Sequence, residues 1–231
     1  MNPLKSVKVF VESVRALGIR ETLAAIPSYL REVYAERQDG FDRKHGTRTS
    51  DRTVGAHENR GHWPTPVRVF DEMMTHLAAD KGAFSFVDIG SGMGRVLLLA
   101  ASHPFKKIIG VEIDQALVEI SRQNIADYRG PRMQCRDIDV IQADATTLAV
   151  PDGPVVFYLF RPFTQPLFEA VLANIHAAYV EAPRPMFIVD YNPWPDGPLD
   201  KSPALQRVAH VKRSGANRRD WTIHSLRQPA Q

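Results

Sequence analysis

Between Ala83 and Tyr191, short apolar runs alternate with longer segments of helical period, and nothing else in the 231-residue chain restricts the fold as strongly. Ala83–Ile89, Lys107–Glu112, Ile138–Gln142, Val155–Phe160 and Met186–Tyr191 read as strands. Arg95–Ala101, Asp114–Tyr128 and Pro166–Val180 read as the helices between them. A strand covered on both faces loses its apolar–polar alternation, and parallel neighbours need a crossover long enough to hold a helix. The expected fold is therefore α/β, a doubly wound and mostly parallel sheet with helices on both sides. The end of the chain departs from this rhythm. Leu205–Lys212 and Trp221–Leu226 are strand-like, and between them lies the turn composition Ser214-Gly215-Ala216-Asn217, which predicts an antiparallel hairpin.

Upstream, Thr65 is expected to cap a helix whose first residue is Pro66, with Val67, Phe70, Met73, Met74 and Leu77 as its buried face. Before that, Val7, Phe10, Val11, Val14 and Leu17 form an apolar stripe, which Gly18 interrupts. A second helix begins near Glu21 and runs through Tyr29, Leu30 and Val33, with Pro27 either kinking it or marking its first turn. Gln38 to Gly61 is a polar stretch that reads as a mobile linker or lid. The expected division is a helical extension with a linker or lid over residues 1–61 and one main domain over 62–231.

The bulk composition excludes several classes. The single cysteine, Cys135, permits no disulfide within one chain and no cysteine metal cluster. The eight histidines show no metal-ligand spacing, so no metal is expected. No run of apolar residues is long enough to span a membrane, and the N-terminus lacks the features of a secretory signal. The expected location is cytoplasmic. A net charge of +3 does not by itself point to nucleic acid.

The chemistry concentrates at three strand ends. In Val87-Asp88-Ile89-Gly90-Ser91-Gly92-Met93-Gly94-Arg95-Val96 a buried strand passes through a glycine loop into a helix. Gly90 and Gly92 let backbone approach a ligand where a Cβ would collide. Nicotinamide-binding loops place a third small residue where Arg95 stands, so a pyrophosphate ligand fits this loop poorly. The next strand ends at Glu112, whose carboxylate can accept hydrogen bonds from both hydroxyls of a ribose, each worth roughly 1.5–3 kcal/mol. Asp114 behind it is expected to cap the following helix. The third strand ends in Gln142-Ala143-Asp144-Ala145. Asp144 can accept from the exocyclic amine of an adenine, and Ile113 and Ala145 can wall its ring; the alternative role for Asp144 is a helix cap.

Taken together, Val87–Val96, Gly110–Asp114 and Gln142–Ala145 resemble the class I S-adenosylmethionine-dependent methyltransferases, over roughly residues 64 to 226. The resemblance implies a seven-stranded Rossmann-like sheet with its last strand antiparallel, and S-adenosyl-L-methionine as cofactor. It also implies that Asp88 lies near the methionine amino group. The cofactor-binding set is then Asp88, Gly90, Ser91, Gly92, Gly94, Glu112, Ile113, Asp144 and Ala145. Thr65 joins it, because a helix N-terminus favours the cofactor carboxylate. Phe41-Asp42-Arg43, Pro64-Thr65-Pro66, Gly94–Ala101 and Tyr158–Phe163 are similar to a group of small bacterial methyltransferases of unassigned substrate. The glycine loop and its helix are also similar, over a short stretch, to the seven-stranded histone-lysine methyltransferases.

Arg161 departs from the pattern. Related chains place asparagine or aspartate before the proline after strand four, whereas an arginine offers five donors and no acceptor. It cannot orient an amine by accepting its proton, but it can bind an anionic group of a substrate. Tyr158 and His62 are the other catalytic candidates, with Tyr191 behind them. Three readings follow. The first is an enzyme methylating a protein side chain or a small molecule. The second is a cofactor-binding protein without catalysis. The third is a nucleic-acid methyltransferase using the basic hairpin marked by Lys212, Arg213, Arg218 and Arg219. The oligomeric state is not encoded in any of these patterns.

Overall fold

A computed structural model describes residues 14–15, 18–38, 64–160, 164–212 and 219–227. Helix α1 (Ile19–Gln38) precedes α2 (Val67–His76), after which β1 (Ser85–Ile89), α3 (Arg95–Ala100), β2 (Lys107–Glu112), α4 (Gln115–Asp127) and β3 (Ile138–Gln142) alternate. The second half runs β4 (Val155–Leu159), α5 (Gln165–Glu181), β5 (Met186–Tyr191), α6 (Pro198–Lys201), β6 (Leu205–Val211) and β7 (Trp221–Leu226). The strands form one seven-stranded sheet in the order β3-β2-β1-β4-β5-β7-β6. β1 to β5 are mutually parallel, while β7 runs antiparallel to both β5 and β6. This is the fold and the terminal hairpin expected from the sequence.

The sheet reverses direction of growth at β1, because the chain first moves out through β2 to β3 and then returns to β4 on the other side. Such a switch point opens a crevice at the carboxyl ends of the strands, where open α/β sheets bind their ligands. β1 and β4 are buried along their whole length, whereas β3, at the edge, is mostly solvated. One face of the sheet packs under α2 and α3. Val67, Phe70, Met73, Met74 and Leu77 are all buried there, as their spacing predicts. Full burial of such side chains contributes about 1.5–3 kcal/mol each. Phe70 meets Phe86 of β1 edge-on at 5.8 Å and Tyr158 of β4 at 5.8 Å. The opposite face packs under α5, through Phe168, Val171 and Ile175.

Two upstream expectations need revision. Pro66, not Thr65, is the residue before the first turn of α2, and neither side chain caps the helix. Thr65 is diverted by a partner from the far side of the chain: its hydroxyl is 2.9 Å from the Tyr158 hydroxyl. The cap comes from α1, where the Glu32 carboxylate accepts from the Val67 amide at 2.6 Å. Pro27 lies inside α1 and so does not mark its first turn. Gly18 does interrupt the preceding helical segment, with φ +85°. The stripe from Val7 to Val11, residues 39–63, and the turn from Arg213 to Arg218 lie outside the described residues. Among the described residues, no helix is long and apolar enough to cross a membrane.

Candidate functional site

Strand register brings the three singled-out ends side by side. Ile89 pairs with Val111, Val111 with Ile141, and Glu112 with Gln142, so Gly90, Glu112 and Gln142 stand in one row at the end of the sheet. With neighbouring strands about 4.8 Å apart, this row is about 10 Å long. Gly90 and Asp144 are exposed, and Ile113 is 67% exposed between them, unusual for a large apolar side chain beside a buried sheet.

Gly90, Gly92 and Gly94 all have positive φ, at 78°, 52° and 82°. A side chain at Gly94 would also run into Ser121 of α4. The loop is laced to β2 rather than left open. The amides of Gly90 and Ser91 both donate to the Val111 carbonyl, at 2.9 and 3.0 Å. The Gly92 amide donates to the Glu112 carboxylate at 2.9 Å. Asn124 of α4 fixes the next turn by donating to the Met93 carbonyl at 2.9 Å. These glycines therefore shape the cradle more than they supply donors to it.

Glu112 sits at the centre of the row. Its Oε1 accepts from the amides of Ile113 and Asp114 at 2.9 and 3.1 Å, and its Oε2 from Gly92. A carboxylate offers about four acceptor positions. Keeping all three amides leaves one position, so the expected pair of ribose hydroxyls is served in full only if one amide gives way.

Asp88 is buried, in the middle of the sheet, beside Tyr158 in register. Burial holds its carboxyl well above the ordinary carboxylate range, and the nearby Glu112 charge pushes the same way. A buried carboxylate of this kind gains from a cation placed against it. Asp144 is the opposite case. It caps the short turn Ala145–Thr147, with Oδ1 accepting from the Thr146 amide at 2.9 Å and the Thr146 hydroxyl at 2.8 Å. Those two donors lower its pKa. The capping role is thus observed, and Oδ2 makes no hydrogen bond among the described residues. Ala145 is buried beneath this turn. Asp114 caps α4 as expected, accepting from the Ala116 amide at 2.8 Å.

Tyr158 is fully buried, and burial pushes its phenol well above the ordinary value. A phenol that holds its proton so tightly is no general base; its hydroxyl anchors Thr65 instead. Tyr191 is buried as well. Arg161 and His62 lie outside the described residues.

The sequence reading missed a link between the glycine loop and the N-terminal helix. Arg95, the residue too bulky for a pyrophosphate turn, is 4% exposed and turns away from the loop. Its Nε donates to the Thr65 carbonyl at 2.7 Å, and a terminal nitrogen meets Glu36 at 2.7 Å. The only signal was the misfit of Arg95 itself, since Glu36 lies far upstream in the chain.

The buried carboxylate of Asp88, the orphaned hydroxyl of Ser91 in the loop and the exposed apolar wall of Ile113 fit a ligand with a cationic end and a nucleoside. Comparison with known proteins agrees. Residues 86–181 match the family model described as a methyltransferase domain. Among solved structures the chain is similar to magnesium protoporphyrin IX methyltransferase from Synechocystis with S-adenosylmethionine bound, at 12% identity over 70% of this chain and 79% of that one, TM-score 0.52. It is similar to a candidate methylase from Haemophilus influenzae, at 15% identity over 73% of this chain and 94% of that one, TM-score 0.50. It is also similar to a candidate methyltransferase from Escherichia coli, at 16% identity over 71% and 87% of the two chains, TM-score 0.50. At such identities the likeness is one of fold. None of the curated proteins matches the sequence.

Proposed function

We propose that this chain is a class I S-adenosylmethionine-dependent methyltransferase, an active enzyme that methylates a protein side chain or a small molecule. The observation that carries this reading is the row of three strand ends in register, with Asp88 buried behind it.

When bound, S-adenosylmethionine supplies a methyl group made electrophilic by its sulfonium. The chain's task is to fix that group and keep water away, and alignment alone can contribute up to about 7–11 kcal/mol in well-oriented cases. Asp88 faces the ammonium end. The spare acceptor position of Glu112 takes a ribose hydroxyl, Oδ2 of Asp144 takes the adenine amine, and Ile113 covers the ring. The first-turn cap of α2 is taken by Glu32, so Thr65 serves this end of the site through Tyr158 and Arg95 rather than by holding the cofactor carboxylate. Arg219 stacks 5.6 Å over Phe160, just past the end of β4, and its cation suits an anionic group on the acceptor; Arg161, next after Phe160 in the sequence, is the second candidate for that role. Residues 1–61 are the part that selects this acceptor.

Calorimetry with S-adenosylhomocysteine tests the cofactor half. Binding is expected for the native chain, with at least a tenfold loss for Glu112→Gln; absence of any heat with either cofactor form would end the assignment. Tritiated methyl transfer into cell extract tests the acceptor half. Label is expected in protease-sensitive or low-mass material. Label that only nuclease removes would favour the nucleic-acid reading, which the basic Lys212, Arg213, Arg218 and Arg219 motivate. Binding without transfer across broad acceptor panels would favour the non-catalytic one. Deleting residues 1–60 should leave measurable cofactor binding and abolish transfer.

A further inference from the structure

α1 carries two carboxylates one turn apart on the same face, Glu32 and Glu36. Like charges at this spacing repel, so a helix gains from holding them together only when each has its own partner. Both do. Glu32 accepts from the Val67 amide, the first of α2, at 2.6 Å. Glu36 meets a terminal nitrogen of Arg95 at 2.7 Å. α1 therefore touches the two helices that frame the buried Asp88, one through a backbone amide and one through a charge.

The contact with Arg95 has the larger consequence. Arg95 is the first residue of α3 and follows Gly94, whose left-handed backbone ends the glycine loop. At 4% exposure its guanidinium has little water, and a buried charge stripped of its partner is strongly destabilising. The loop's path fixes where the guanidinium points. Glu36 fixes where it can rest. Its Nε meanwhile holds the Thr65 carbonyl, and the Thr65 hydroxyl meets Tyr158, the register neighbour of Asp88. A chain of contacts thus runs from α1 through Arg95 and Thr65 to the base of the cofactor site, and it closes through the loop itself.

We propose that Arg95 is a positioning residue that links the docking of α1 to occupation of the glycine loop, with Glu36 as its counter-charge. This rests on the reading that residues 88–94 hold the cofactor. A loop held in one shape by cofactor presents Arg95 to Glu36 and tightens α1 against the body. A docked α1 in turn holds the loop in the shape the cofactor needs. The two effects are equal by thermodynamic reciprocity: whatever factor the docked helix adds to cofactor affinity, the cofactor adds to helix docking.

The experiment uses the full chain. S-adenosylhomocysteine affinity is measured by calorimetry, and amide hydrogen exchange is followed over residues 19–38 with and without saturating S-adenosylhomocysteine. In the native chain, ligand should slow exchange in α1. Glu36→Gln should speed that exchange and weaken binding about five- to twentyfold, a usual range for coupling between sites. Glu36→Asp should recover part of both effects, and Arg31→Gln, an exposed change on the same helix, neither. A Glu36→Gln chain with a loosened α1 but affinity within about twofold of native would reduce the contact to a structural one and overturn the proposal. So would native α1 exchange that ignores the ligand, and this comparison decides the matter if Glu36→Gln fails to fold. No binding by the native chain would remove the cofactor reading and this linkage with it; binding without linkage would remove the linkage alone.

Discussion

Asp88 in β1 and Asp144 just past β3 are the same residue type at strand ends two places apart, yet their surroundings are opposed. β1 is an inner strand, covered on both faces, and Asp88 is buried with its carboxyl held toward the protonated form. β3 is an edge strand, and Asp144 is exposed, held ionised by the two donors of Thr146. A position in the sheet thus decides what a carboxylate can do there. The inner one stores a desolvation penalty that a cationic ligand relieves. The peripheral one is already ionised and half-occupied by its own turn, so a ligand adds only a hydrogen bond at Oδ2.

This contrast can be broken at four points. The largest effect is expected at Asp88. Asp88→Asn should lower S-adenosylmethionine affinity tenfold or more in calorimetry, because the ammonium end loses its counter-charge, while the ligand-free chain should melt at a higher temperature. Equal affinity in the variant would show that burial alone, not charge pairing, sets the character of this residue. The pH dependence comes next. The pKa of Asp88 is raised by folding, so its contribution to stability is complete below its unfolded value and fades as pH rises through the folded one. Ligand-free melting temperature should therefore fall with rising pH across that interval, and Asp88→Asn should flatten the fall. For Asp144 the sign reverses: its pKa is lowered, so its contribution is present above the unfolded value and vanishes as pH drops through the folded one. Third, Asp144→Asn should weaken cofactor binding by about fivefold, the ~1 kcal/mol of one ordinary hydrogen bond. A loss as large as that of Asp88→Asn would put the peripheral acid on an equal footing. The smallest effect is expected for Ile113→Ser, about threefold, for the apolar wall removed.

The heart of the sheet was legible because β1 and β4 are buried on both faces and read as unbroken apolar runs. The ends of β2, β3, β5 and β7 fall where the apolar runs stop, and the buried face of α2 follows its 3–4 spacing. α6 is a single turn, too short to carry a period, and went unread. In the site, the places of Glu112 and Ile113 at the end of β2 were legible from the apolar run alone. Whether Asp144 caps or contacts a ligand was not, since one carboxylate suits both. Thr65 shows the physical limit most clearly. Its residue type is right for a cap, but a hydroxyl 93 positions away competes for it, and the cap is supplied from 35 positions upstream. Local preference cannot register partners at that distance. Arg95 was noticed as a misfit, and its reason lies in Glu36, 59 positions before it.

The place of β7 bears on how such a chain is made. β7 lies between β5 and β6, so β6, although translated first, has no neighbour in the sheet until residues 221–226 have left the ribosome. Until then Phe187 to Tyr191 form a bare edge, its amides and carbonyls open to any other strand. A nascent chain paused there is sticky. Fast synthesis of the last segment, or a chaperone held on β5, would protect the yield of native protein.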